Sequence, residues 1–152
     1  MEKMDIVEKL TSLAKLDLDA TKSYEEAIKK VDEADIRERL VKYMEDHHRH
    51  VRDLSDLITK YGGKAPQITT DVRGLFLGGA TMLQGMMGTQ GALTALQTGE
   101  KITNESYKDA VSQNFPADIE MVLNANYRDE QLHLSYVNEL LASKPWEKRR
   151  AA

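Results

Sequence analysis

The composition of this chain of 152 residues is that of a small acidic protein: 21 Lys and Arg stand against 25 Asp and Glu, a formal charge of -4, and cysteine is absent. Because the basic residues are scattered rather than gathered on one stripe, the charge pattern argues against a nucleic-acid partner. Without cysteine there are no disulfides, thiolate metal sites or cysteine nucleophiles, so any metal must use nitrogen and oxygen ligands. The length predicts one domain over residues 1–152.

The first residues of the chain carry no targeting pattern. Charges of both signs are mixed from Glu2 to Lys9, and the apolar core and small-residue cleavage site of a secretory signal are missing. We therefore predict a cytoplasmic protein.

Apolar residues recur at a helical period along most of the chain, which predicts an all-α protein with four long helices. The first helix is expected from about Met4 to Val31; the second begins at a cap around Asp35 and ends at Gly62-Gly63. These two helices form the first predicted hairpin, residues 4–61. Their core-facing seams are Ile6, Leu10, Leu13, Asp17, Ala20, Tyr24, Ala27, Val31 and Ile36, Leu40, Tyr43, His47, His50, Leu54, Leu57, Tyr61.

A long crossover, residues 64–89, is predicted to join two hairpins and to contain a short extra helix from Val72 to Met87. No charge occurs from Gly74 to Gly99, and glycine and methionine are frequent there. A membrane span is one interpretation, but the glutamines and glycines disfavour it, and no membrane partner is predicted. Packing of this segment on the bundle or across a homodimer is the preferred interpretation.

The second hairpin, residues 90–143, repeats the first at an offset of 83 residues without a gap. Its helices are expected from about Gln90 to Gln113 and, with Pro116 near the first turn, to about Ser143. The matched pairs include Leu10 with Leu93, Asp17 with Glu100, Tyr24 with Tyr107, Asp46 with Asp129, and His50 with His133. The chain is therefore a duplicated unit.

Two pairs of possible ligands occur in the run Glu45-Asp46-His47-His48-Arg49-His50: Glu45 with His48, which spells Glu-x-x-His, and His47 with His50. Helix geometry decides which pair faces the core. At about 100° per residue, His47 and His50 face the apolar stripe of the second helix. Glu45, Asp46 and His48 are expected on a solvated face.

Six polar residues are thereby predicted to face the middle of the bundle, where an unpartnered charge is costly. Carboxylates mixed with imidazoles suit iron, manganese or zinc, and a cation would compensate the carboxylates. The alternative is a set of buried ion pairs that satisfies itself without metal. The candidate ligands are Asp17, His47, His50, Glu100, Glu130 and His133, and the candidates for supporting hydrogen bonds are Tyr24 and Tyr107.

This pattern resembles the ferritin-like superfamily of di-iron carboxylate four-helix bundles, which includes rubrerythrin. The features that carry the resemblance are the crossover, the seven-residue spacing from Asp17 to Tyr24 and from Glu100 to Tyr107, and Glu130-x-x-His133. The overall layout is similar to an uncharacterised bacterial group described only as a ferritin-like domain of unknown function. The resemblance implies a ferritin-like fold of two repeated hairpins.

The resemblance also implies roles for individual residues. Asp17 and Glu100 correspond to terminal carboxylates, Glu130 to a bridging one, and His50 and His133 to the histidine ligands. His47 departs from the family pattern because it stands where the other bridging Glu is found, which makes one ion or an unequal pair an expected outcome. The implied cofactor is iron, as one or two ions, with manganese or zinc as alternatives.

Two functions are predicted from these observations. The first is a metal-binding, non-haem iron protein with oxidoreductase or peroxidase-like chemistry on O2 or peroxide, supplied by an external electron donor because the chain has no cysteine for a rubredoxin-like module. The second is a metal-free helical bundle that acts as an interaction or stress-related structural module.

Overall fold

A computed structural model describes residues 1–67 and 88–150 of the protein. Within these two ranges the fold is all-α, as the sequence predicted, and no strand occurs. The helices are α1 (Lys3–Lys30), α2 (Ala34–Lys60), α3 (Gly88–Val111), α4 (Ala117–Ser143) and α5 (Pro145–Arg150). The four long helices begin and end within about three residues of the predicted bounds, the usual uncertainty of a pattern-based boundary.

The four long helices pack as a bundle. Helix α1 contacts α2 and α3, and α4 contacts α3 and α2. Tyr107 on α3 reaches Asp17 on α1, whereas Glu100, earlier on α3, receives Tyr24, later on α1. Helices α1 and α3 are therefore antiparallel. The two contacts are equivalent in the repeat, because Asp17 matches Glu100 and Tyr24 matches Tyr107 at the offset of 83 residues.

The ends of the second and fourth long helices depend on residues in left-handed conformations. Gly62, with φ of 88°, follows α2, and the amide of Gly63 donates to the carbonyl of Ile58 at 2.8 Å. This is the glycine stop predicted from the sequence. Helix α4 ends at Lys144, with φ of 45°, whose amide donates to the carbonyl of Leu140 at 2.8 Å.

Two local features differ from the sequence prediction. Asp35 does not cap α2: it lies in the first turn, and the preceding Glu33 makes no side-chain cap hydrogen bond. Asp35 instead accepts two hydrogen bonds from Arg149, at 2.9 and 3.0 Å. Arg149 belongs to the short helix α5, which the pattern did not predict because six residues are too few to show a helical period; α5 contributes the buried Trp146 to the core.

The core consists of two apolar clusters separated by a polar layer. One cluster includes Leu16, Tyr24, Leu40, Leu96 and Val137, and the other includes Leu10, Leu54, Tyr107 and Leu123. On each long helix the predicted ligands lie between residues of the two clusters. Apolar side chains therefore close the polar layer at both ends of the bundle, which keeps its interior in a medium of low dielectric.

Helix burial follows the predicted seams closely. Every residue of the two seams predicted for the first hairpin is buried except Tyr61, which lies just after the end of α2 and is partly buried. Among the described helices, none combines the length and apolar character needed to cross a membrane. The predicted extra helix from Val72 to Met87 lies outside the described residues, and the homodimer that depends on this segment stays a prediction.

Candidate metal centre

All six residues predicted to line the bundle centre meet there. Each has a relative exposure of 0%, and each of the four long helices contributes at least one of them: Asp17 from α1, His47 and His50 from α2, Glu100 from α3, and Glu130 and His133 from α4. The prediction that His47 and His50, and not Glu45 and His48, face the core is confirmed, since His48 and Glu45 are exposed. Residues 83 or more positions apart in the chain thus share one water-excluded layer.

The six side chains form two overlapping groups that could each hold a metal ion. One group is Asp17, His47, His50 and Glu130, and the other is His47, Glu100, Glu130 and His133. Within each group, one ligand atom from every residue lies within 4.8 Å of the others. His47 and Glu130, which match each other in the repeat, are common to both groups.

The carboxylate of Asp17 accepts hydrogen bonds from both histidines of α2 and from a tyrosine of α3. Its Oδ1 accepts from Nδ1 of His47 at 2.8 Å and from Nδ1 of His50 at 3.1 Å, while its Oδ2 accepts from the hydroxyl of Tyr107 at 2.5 Å. The amide of Asn126 donates to the same hydroxyl at 3.2 Å. Every oxygen of this carboxylate therefore has a partner.

Glu100 occupies the equivalent position in the second hairpin. Its Oε1 accepts from the hydroxyl of Tyr24 and lies 3.3 Å from Nε2 of His47, and its Oε2 accepts from Thr103 at 3.3 Å. The two predicted supporting tyrosines thus each bond to the carboxylate of the other hairpin. The two contacts, Tyr24 with Glu100 and Tyr107 with Asp17, are therefore related by an internal two-fold symmetry between the repeats.

Three buried polar atoms of the layer have no hydrogen-bond partner among the residues that the structure describes. They are both carboxylate oxygens of Glu130 and Nδ1 of His133. The nearest ring nitrogen to Glu130 Oε1 is Nδ1 of His50 at 3.1 Å, a distance compatible with an ion pair. Since buried polar atoms are almost always hydrogen-bonded, these three atoms could be satisfied by a bound cation or by water.

Burial opposes the charged form of each imidazole, yet the surrounding carboxylates outweigh it. The pKa of His47 is raised to about 10, chiefly by Glu130, Asp17 and Glu100. The pKa of His50 is raised to about 12 by Asp129, Asp17 and Glu130. The pKa of His133 is also raised, by Asp46 and Glu100. Without a metal ion, the protonated rings of His47 and His50 therefore offset part of the carboxylate charge at neutral pH.

The three central carboxyl groups differ in acidity. Burial raises the pKa of Asp17, but hydrogen bonds from His47 and His50 lower it to about 2 overall. Burial also raises the pKa of Glu100, but hydrogen bonds from His133 and His47 outweigh this effect and lower the pKa overall. Glu130 has the opposite outcome: burial raises its pKa to about 7 because the nearby His47 only partly offsets it. Glu130 is thus the carboxylate with the weakest compensation.

Two further aspartates support the histidines, and the sequence argument did not identify their role. Oδ2 of Asp46 accepts from Nε2 of His133 at 2.9 Å, and Oδ2 of Asp129 accepts from Nε2 of His50 at 3.0 Å. Arg49 bonds to both aspartates. The assignment of Asp46 to a solvated face is therefore wrong, because the residue is partly buried. The recurrence of Asp46 as Asp129 in the repeat was the signal that could have identified the pair.

An open groove of about 460 Å³ lies elsewhere, between α1 and α3. Its lining includes Asp5, Lys9, Asp109 and Phe115, and none of the six central residues contributes to it. The groove is therefore separate from the polar layer.

The fold and site together define a class of protein: an all-helical bundle whose buried His, Asp and Glu groups could hold a metal ion. The family model described as "Domain of unknown function (DUF2383)" matches residues 5–113, and the chain belongs to that family. The match includes Asp17, His47, His50 and Glu100 and stops before Glu130 and His133. No curated protein matches the chain.

Proposed function

We propose that this protein is a ferritin-like metal protein that holds a redox-active transition metal, iron by preference, in the polar layer. Its reaction would be an oxidoreductase or peroxidase-like conversion of O2 or peroxide with electrons from an external donor. The observation that carries the proposal is the set of unbonded ligand atoms on Glu130 and His133 in a fully buried layer.

The donor set supports a transition metal. The residues that would hold it are drawn from Asp17, His47, His50, Glu100, Glu130 and His133. Imidazole nitrogen combined with carboxylate oxygen suits iron, manganese and zinc better than a purely oxygen-binding ion. A redox-active ion, when bound, would supply electron transfer to O2 or peroxide. A cation would also partner Glu130, whose burial is otherwise poorly compensated.

The protein's own residues prepare such a site. Asp46 and Asp129 orient His133 and His50 through their Nε2 atoms, which leaves Nδ1 directed into the layer. Burial, together with Glu100 or Asp17, raises the pKa of Tyr24 and of Tyr107 well above the usual value. Both hydroxyls therefore stay protonated at neutral pH and keep donating to Glu100 and Asp17. The apolar clusters at either end exclude water.

A metal-free structural module is the second candidate, and the hydrogen bonds of Asp17 favour it. Asp17 is fully satisfied by His47, His50 and Tyr107, so half of the layer is stable as a set of ion pairs. Replacing a buried ion-pair group by apolar residues of similar volume is often neutral or stabilising. The metal-free candidate predicts this outcome for the three histidines, with no dependence on added metal.

Metal content decides between the two candidates. Protein purified without chelator and reconstituted anaerobically with Fe(II), Mn(II) or Zn(II) is assayed by elemental analysis after gel filtration. The proposal expects at least one equivalent of metal; less than about a tenth of an equivalent of all three metals contradicts it. The matched control is His48→Gln, which changes an exposed histidine in the same run and should bind as the unmodified protein does.

A further inference from the structure

The two halves of the polar layer differ in their hydrogen bonds, although the repeat matches His50 with His133. His50 hydrogen-bonds to Asp17 through Nδ1 at 3.1 Å and to Asp129 through Nε2 at 3.0 Å. His133, its counterpart, hydrogen-bonds only through Nε2, to Asp46 at 2.9 Å, and its Nδ1 forms none. Since carboxylates only accept hydrogen bonds, both ring nitrogens of His50 act as donors, whereas a neutral His133 that donates through Nε2 has a lone pair on Nδ1.

His47 introduces this difference because it stands where the repeat has Glu130. Its Nδ1 lies 2.8 Å from Oδ1 of Asp17, and its Nε2 lies 3.3 Å from Oε1 of Glu100. When His47 loses a proton to ligate, the shorter contact keeps the remaining hydrogen on Nδ1 and leaves the lone pair on Nε2. That lone pair is directed towards the half of the layer that contains Glu100.

A neutral imidazole has one lone pair and therefore ligates one ion, whereas a carboxylate can bridge two. Carboxylate-bridged ions in two-metal sites lie about 3.5–4 Å apart. The two nitrogens of an imidazole point in diverging directions, so His47 cannot join such a closely spaced pair. Glu130 differs from His47 because it is a carboxylate, and both of its oxygens lack a hydrogen bond, so each oxygen could bind an ion.

We propose that the protein binds a single divalent transition-metal ion, held by His47 Nε2, Glu100, Glu130 and His133 Nδ1. This inference rests on the proposed function. These four residues form one of the two groups whose ligand atoms lie within 4.8 Å of one another. Nδ1 of His133 is 3.6 Å from Oε1 of Glu100 and 3.8 Å from Oε2 of Glu130. Asp17 and His50 are positioning residues: Asp17 fixes the ring of His47, and His50 holds Asp17.

Counting Mn(II) tests the number of ions without any assay of activity. Titration of the chelator-treated protein with Mn(II), followed by calorimetry and by electron paramagnetic resonance, should give one ion per chain with the six-line spectrum of an isolated Mn(II). Two ions per chain with a spin-coupled spectrum would overturn the single-ion inference and leave the proposed function intact. No binding of Mn(II), Fe(II) or Zn(II) would overturn the proposed function itself.

Single variants test which half of the layer holds the ion. Glu100→Gln and His133→Gln should abolish Mn(II) binding, while Asp17→Asn and His50→Gln should retain one ion with an affinity lowered by no more than about 10–100-fold, the range for a positioning partner. The reverse pattern would overturn the assignment. Circular dichroism confirms that each variant is folded, and the ion count of the unmodified protein stands whether or not a variant folds.

His47→Glu tests the role given to His47 directly. A glutamate at this position matches Glu130 and restores a second bridging carboxylate, so the variant should bind two Mn(II) ions and give a spin-coupled spectrum. A folded His47→Glu protein that still binds one ion would overturn the argument that the imidazole limits the count. The matched control is again His48→Gln, for which one ion is expected.

Discussion

Nε2 of His133 hydrogen-bonds across the bundle to Oδ2 of Asp46, a carboxylate of the other hairpin, at 2.9 Å. The repeat supplies the reciprocal contact, from His50 to Asp129 at 3.0 Å. Each hairpin thus orients the histidine of its partner, and neither hairpin contains a complete site. The ligand geometry is therefore a property of the docked pair of hairpins.

Removing the charge of Asp46 should weaken metal binding. Asp46→Asn leaves an oxygen to accept from His133 but makes the imidazole a poorer ligand, so we expect Mn(II) affinity to fall by about 10–100-fold. Isothermal titration measures the change. The exposed Asp56→Asn on the same helix is the control and should bind normally. Equal affinities for Asp46→Asn and the control would contradict the role of Asp46.

Metal binding should release protons. In the metal-free protein the pKa of His47 is raised to about 10, so this ring is protonated at pH 7 and must lose a proton to ligate. Calorimetry in buffers of different ionisation enthalpy should therefore show at least about one proton released per Mn(II). Affinity should fall as the pH is lowered, further below pH 7 where Glu130, with its pKa raised to about 7, becomes protonated. Binding without proton release would contradict the ligand assignment.

Saturating metal should raise thermal stability. An ion that binds only the folded state adds about 2.7 kcal/mol at a free concentration of 100 times Kd, or roughly 5–10 °C in Tm for a domain of this size. Scanning calorimetry with and without Mn(II) measures the shift, and a chelator should reverse it. In the His133→Gln protein the shift should disappear; a shift that persists there would place the bound ion elsewhere.

The hydroxyl of Tyr107 should stabilise the metal-free protein. Tyr107→Phe leaves Oδ2 of Asp17 without its donor, and a hydrogen bond to a charged group contributes about 1.5–3 kcal/mol, so the free energy of unfolding should fall by about that amount. Urea unfolding monitored by circular dichroism measures it. Tyr127→Phe is the control, because Tyr127 is a partly buried residue packed beside an apolar cluster, and its change should be small.

Periodicity accounted for the helices and for most of the candidate site. The burial of His47 and His50, rather than Glu45 and His48, followed from the helix wheel, since the angle between neighbouring residues on a helix is constant. Asp46 was misassigned by the same argument. Asp46 lies at the edge of the apolar stripe of α2. A helix wheel gives the direction of a side chain but not the residues of other helices that it meets, and the partner of Asp46, His133, is 87 positions away.

The sequence by itself determined the helical hairpins, their duplication and the six polar residues that face inward, because each of these depends on local spacing along one chain. Only the tertiary structure decided how those residues pair: Tyr24 with Glu100, Tyr107 with Asp17, and His133 with Asp46. It also showed that His50 is fully bonded while Glu130 has unbonded oxygens. The physical reason is that hydrogen bonds between helices depend on the register and distance of docked elements, which a repeat pattern in one dimension does not contain.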